Sequence, residues 1–194
     1  MLGDLWSFQG RYRTLHLTWI AFFLTFVVWF NLAPLATTVK ADLGLTVGQI
    51  RTVAICNVAL TIPARVLIGM LLDKFGPRIT YSSILVFSAI PCLLFASAQD
   101  FNQLVVARLL LSIVGAGFVI GIRMVAEWFP PKEIGLAEGI YGGWGNFGSA
   151  FSALTMVALA GFLSFSGGFT LPTGAVLNWR GAIALTGIIS ALYG

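Results

Sequence analysis

Arg65 sits in V-A-L-T-I-P-A-R-V-L-I-G-M, an apolar run with no acidic residue at matching depth in this chain. Its guanidinium stays charged, because its pKa lies above ~12. Placing it within a bilayer costs at least ~2.5–3.5 kcal/mol. Such a group faces a polar cavity and has a partner, and a passing anion would serve. A side chain reaching for the membrane surface, or a partner beyond Gly194, would serve equally. A second candidate is Asn146, in the glycine-rich run G-L-A-E-G-I-Y-G-G-W-G-N-F-G-S-A from Gly135. Its amide donates hydrogen bonds to an anion without adding charge. Gly143 and Gly145 beside it let a ligand approach backbone. Gly135, Gly139 and Gly143 repeat every four residues, as do Gly145 and Ser149, a spacing used for close helix contact in membranes. The third group is G-M-L-L-D-K-F-G-P-R, Gly69 to Arg78. Gly69 permits close packing, Asp73 ends a helix, and Gly76 with Pro77 makes a tight turn.

These residues ride on helices. Hydrophobic residues make up 58% of the 194-residue chain and charged residues 9%, too few charges to coat a soluble surface. Mean hydropathy is +0.94. Six apolar segments run about 15–39, 52–72, 79–98, 103–126, 134–163 and 181–194. Most match the ~20 residues that cross about 30 Å of hydrocarbon. The expectation is an all-α membrane protein. A β-barrel would show alternating segments of about 10 residues, and none is seen. The first run is too long for a cleavable signal. The stretch 164–180, with Gly167, Gly168, Pro172 and Gly174, reads as an irregular loop. The last segment stops at Gly194 short of a full span, so the chain reads as a fragment whose second half is absent.

The net charge of +4 does not indicate nucleic acid, because the basic residues are scattered without a patch. Arg11, Arg13, Lys74, Arg78 and Lys132 share one face in a six-segment layout. Lys40, Arg51 and Arg180 share the other, and Arg108 lies about a turn inside the fourth segment. This bias places the N-terminus in the cytoplasm. Cys56 and Cys92 fall in apolar runs and read as small hydrophobes. His16, alone near the membrane edge, reads as interfacial. Glu127, Glu133 and Glu138 read as helix-end charges, with Arg123 and Glu127 as i, i+4 neighbours. No metal set, phosphate loop or Ser/His/Asp arrangement argues for an enzyme, and no cofactor is implied.

The Gly69–Arg78 run resembles the loop signature of the major facilitator superfamily, G-x-x-x-D-[KR]-x-G-x-[KR]. The resemblance implies that Gly69, Asp73, Gly76 and Arg78 form a conformational latch between two halves. Arg123 to Ala150, R-M-V-A-E-W-F-P-P-K-E-I-G-L-A-E-G-I-Y-G-G-W-G-N-F-G-S-A, resembles the nitrate signature of the nitrate/nitrite porter family. The stretch from Trp6, W-S-F-Q-G-R-Y-R-T-L-H-L-T-W, resembles its bacterial and cyanobacterial members.

This resemblance implies the first six-helix half of a twelve-helix fold, with its sixth helix truncated. It also implies nitrate or nitrite as the transported anion, in the inner (plasma) membrane. Within it, Arg65 and Asn146 would bind the anion and Phe30 and Phe118 would flank it. A second arginine would lie in the missing half. The planar ion suits a guanidinium fork, which donates two parallel hydrogen bonds. A channel, or a transporter of another small or organic anion, is the alternative. No carboxylate sits deep in this half, which fits nitrite exchange, but the family contains both exchangers and proton symporters and the coupling stays open.

Overall fold

The computed structural model describes residues 7–174 and 176–194. Trp6 and Ala175 fall outside them. The first helix, α1, runs Gly10–Phe30. A 3-10 turn, Ala33–Leu35, and α2, Ala36–Asp42, continue it. Pro34 accounts for the interruption. It lacks an N–H, and its ring crowds the carbonyl four residues back, that of Phe30.

The next pair shows the same device. Helix α3, Val47–Ala59, opens on a Thr46–Gln49 capping box. Pro63 lies four residues beyond Ala59, where α3 stops, and α4 begins at Thr61 and runs to Ser97. Gly76 breaks α4 into two helices, with φ of 77°. A side chain there costs about 1–2 kcal/mol, and Pro77 suits the first turn of the helix that follows.

Helix α5, Phe101–Ser112, opens on Asp100, whose carboxylate accepts from the Gln103 N–H. A 3-10 segment, Ile113–Ala116, joins it to α6, Gly117–Trp128. Helix α7 spans Pro131–Phe162 and tapers into a 3-10 turn, Leu163–Ser166. Helix α8 is Trp179–Tyr193. Four stretches are long and apolar enough to cross a membrane among the described residues: Gly10–Asp42, Val47–Ser97, Phe101–Trp128 and Pro131–Ser166. The 51 residues of Val47–Ser97 would measure roughly 75 Å if straight, more than two hydrocarbon thicknesses, and Gly76 divides them.

The stretch 164–180 is more ordered than its composition predicts. Strands β1, Phe169–Thr170, and β2, Val176–Leu177, pair antiparallel. Gly167 and Gly174 adopt positive φ, and the Asn178 N–H donates to the Ala160 carbonyl, which ties the hairpin to α7. The helices also outrun the apolar segments. Helix α1 starts at Gly10, five residues before the run at 15, because backbone hydrogen bonding continues into the polar layer where hydropathy does not.

The core is glycine-mediated where helices meet. Helix α1 packs most extensively on α7, α3 on α5, and α4 on α8. A Cβ on Gly148 would lie 2.3 Å from the Phe23 carbonyl oxygen, and one on Gly145 would penetrate the Phe22 ring. Gly121 admits Tyr141, and Gly187 admits Cys92. The four-residue stripe is therefore not the contact. A Cβ on Gly135, Gly139, Gly143 or Gly69 meets open space within 4 Å. Three residues beyond Gly145 the same face returns at Gly148, and that face carries the packing.

Ionic ties close both ends. At the Gly76 end, Arg123 pairs with Asp73 at 3.1 Å and Glu127 at 2.6 Å, and Arg11 pairs with Glu133 at 2.9 Å. At the hairpin end, the Trp179 indole N–H donates to Asp42 at 2.8 Å, and Arg180 donates to the Ala96 and Ala98 carbonyls at the end of α4. His16 is buried and not alone: it stacks on Phe8 and its Nδ1 accepts from the Trp19 indole at 3.0 Å.

Candidate functional site

Arg65 is exposed on α4 and has no hydrogen bond or ion pair among the described residues. It precedes Gly76 by eleven residues, roughly 16 Å of helix. The apolar run alone suggests about 10 Å, because hydropathy ends the helix at 72 while the structure carries it to Gly76. The last four of those residues, Asp73 to Gly76, include two charges, so the apolar run still sets Arg65 about 10 Å from its polar end.

Asn146 is also exposed, on α7. Its Nδ2 donates to the Gly142 carbonyl at 2.7 Å. One amide hydrogen is thereby committed to the helix, and the other, with Oδ1, is left for a ligand. Gly143 lies exposed on the same helix. Gly145 does not join them. It is buried against Phe22 and serves the α1–α7 contact.

Phe30 and Phe118 are half-buried and belong to one aromatic chain. Phe118 lies 5.3 Å from Phe22, Phe22 4.4 Å from Phe26, and Phe26 5.6 Å from Phe30, between ring centroids. The Tyr141 hydroxyl donates to the Phe118 carbonyl at 3.0 Å and fixes the start of α6. No hydrogen bond connects Arg65, Asn146 and this chain. The two rings stand at opposite ends of this chain, linked through Phe22 and Phe26 of α1, and the two polar groups lie on separate helices.

Of the Gly69–Arg78 residues, Asp73 finds Arg123, and Gly76 supplies the turn. Arg78 is exposed without an ion-pair partner among the described residues.

Sequence reading missed the polar joint beside Phe30. Trp29 donates through its indole to the Asn57 carbonyl at 2.7 Å, and Asn57 Nδ2 returns a bond to the Trp29 carbonyl at 3.0 Å. The Leu60 N–H, at the α3–α4 break, donates to Ser112 Oγ. Gly115, in the 3-10 segment after Ser112, gives the Trp29 ring its room. Three helix interruptions therefore meet around Trp29. Pro34 and Pro63, each four residues past a helix end, were the available signal.

The Major Facilitator Superfamily model matches residues 18–194. The chain belongs to the major facilitator superfamily. Among superfamily relatives, it is 64% identical over its whole length to the nitrate/nitrite transporter NrtP of Picosynechococcus sp.. It is 62% identical over its whole length to NrtP of Nostoc punctiforme. A probable nitrate/nitrite antiporter, NarK1 of Thermus thermophilus, is 32% identical over 95% of the chain. The chain spans 38–41% of the length of these relatives. A bacterial homolog to the human lysosomal transporter Spinster, solved inward-facing and occupied, superposes with TM-score 0.75. It covers 94% of this chain and 42% of its own at 21% identity, a likeness of fold.

Proposed function

We propose that this chain is the N-terminal half of a secondary transporter that moves nitrate, and nitrite, across the cytoplasmic membrane by alternating access. The observation that supports it is Arg65, a guanidinium within an apolar span and without a hydrogen bond or ion pair among the described residues, in a chain that is 64% identical to a nitrate/nitrite transporter. The anion sits on the Arg65 fork and is met by the free amide hydrogen of Asn146, with Phe30 and Phe118 walling it from water. A second half-site, on the remainder of the full-length protein, completes the cavity. The reaction is movement, not catalysis. Described carboxylates lie toward helix ends, as Asp42, Asp73, Asp100, Glu127, Glu133 and Glu138 do. The protein occupies the inner (plasma) membrane with its N-terminus in the cytoplasm and the Gly76 turn on that side.

The test is Arg65→Lys in the full-length protein. Lysine keeps the charge and loses the planar fork. Removing half of a buried charge-assisted pair costs about 2–5 kcal/mol, so nitrate uptake should nearly vanish at unchanged surface expression. Uptake at near wild-type rate and affinity would remove Arg65 from the site.

A further inference from the structure

Arg108 is a charged residue 1% exposed, seven residues into the apolar stretch Phe101–Trp128, with no carboxylate in contact among the described residues. Its Nη1 donates to Asn31 Oδ1 at 3.0 Å, and its Nη2 approaches the Trp29 carbonyl at 3.5 Å. The guanidinium lies 5.1 Å from the Phe95 ring centroid. Its Nε has no partner among the described residues. Asn31 passes the link on, donating from Nδ2 to Thr186 Oγ1 at 3.0 Å on α8. A salt bridge would satisfy this charge more simply. Here its hydrogen bonds go instead to the interruption of the first span.

The two groups that Arg108 holds are the immediate neighbours of Phe30. Trp29 and Asn31 flank it where α1 ends, and Pro34 has already removed the helical hydrogen bonding that would fix that point. We propose that Arg108 is a positioning residue for Phe30. Its fork fastens the backbone before Phe30 and the side chain after it, and so sets the angle at which the ring meets the transported anion. Asn57 holds the same Trp29 carbonyl from the second span. Arg108 adds the connection to α8 through Asn31 and Thr186.

The inference rests on the nitrate reading for its substrate, and two measurements keep the two apart. The first is a double-mutant cycle for nitrate KM in the full-length protein. KM does not depend on how many copies reach the membrane. Arg108→Lys, which keeps the charge but cannot fork, should raise KM about tenfold, the scale of one charge-assisted hydrogen bond. In a Phe30→Ala background the same change should shift KM less than about twofold, because the ring it positions is gone. Asn31→Ala, which removes the Nη1 acceptor, should repeat both results. Equal fold-changes in the two backgrounds would overturn the proposal. The second measurement needs no substrate. With Cys56 and Cys92 changed to alanine, Arg108→Lys should alter the thiol-labelling rate of Phe30→Cys severalfold and leave Phe118→Cys unchanged. An unaltered rate at Phe30→Cys would also overturn it. A shifted rate in a protein that does not carry nitrate would leave the positioning intact and remove the nitrate reading.

Discussion

A single amide shows how far one residue can be argued. Asn146 spends one hydrogen on the Gly142 carbonyl, so its contribution to an anion is one neutral bond. Such a bond is worth about 0.5–1.5 kcal/mol, or roughly two- to tenfold in affinity. Asn146→Ala in the full-length protein should weaken nitrate binding within that range and leave detergent thermostability unchanged. Wild-type affinity in the variant would reduce Asn146 to a helix-surface residue. Arg65 and Asn146 stand out in the sequence because each breaks the composition of its run. Arg108 breaks its run equally, yet its role was not legible. Its partners are a carbonyl, Asn31 and a ring, and hydropathy records none of them. Gly145 misled for the converse reason. Sequence shows that glycine leaves room but not what fills the room, and here Phe22 does.

At the scale of helices, existence was readable and faces were not. Apolar runs located the spans, but their ends moved outward with the backbone hydrogen bonding. The repeat at Gly135, Gly139 and Gly143 suggested a contact that the structure assigns to Gly145 and Gly148. A four-residue spacing marks a stripe without saying which of two stripes is covered. The distinction is measurable in the full-length protein. Gly148→Ala pushes a methyl group onto the Phe23 carbonyl, which is backbone and yields little. It should destabilise by about 1–3 kcal/mol, seen as a lower melting temperature in detergent. Gly139→Ala meets open space, and alanine favours helix by up to about 1 kcal/mol. Its melting temperature should hold or rise. If the two variants melted alike, α1 and α7 would not be seated on Gly148.

For the molecule as a whole, the double span Val47–Ser97 folds at Gly76 and the hairpin closes the opposite end. The two turns therefore lie on opposite sides of the bilayer in a six-crossing layout. Basic residues favour the Gly76 side as cytoplasmic. Reporter fusions in the full-length protein test this. A fusion after Gly10 should report the cytoplasm, and one within 164–180 should report the outside. A cytoplasmic signal from both would require an even number of crossings between them and would overturn the six-segment layout. The chain spans about two fifths of the length of the nitrate/nitrite relatives it matches. Among the described residues Arg65 and Asn146 lie on exposed faces of α4 and α7.

The two ends of the bundle differ in what ions in solution can do to them. Asp42 and Arg180 are each less than a third exposed and share their bonds with an indole and two carbonyls. Asp73 is 72% exposed and Arg123 51%, and their tie, on a guanidinium shared with Glu127, is made of exposed charges alone. Mobile ions at about 0.15 M screen over roughly 8 Å, and at 1 M over roughly 3 Å. Added salt therefore slackens the Gly76 end and barely touches the hairpin end. In proteoliposomes of known orientation, potassium gluconate on the Gly76 side should change the rate of nitrate counterflow, while the same salt on the hairpin side should not. Arg123→Gln should abolish the difference between sides. A symmetric response would mean that the Asp73–Arg123 pair does not restrain the transport cycle.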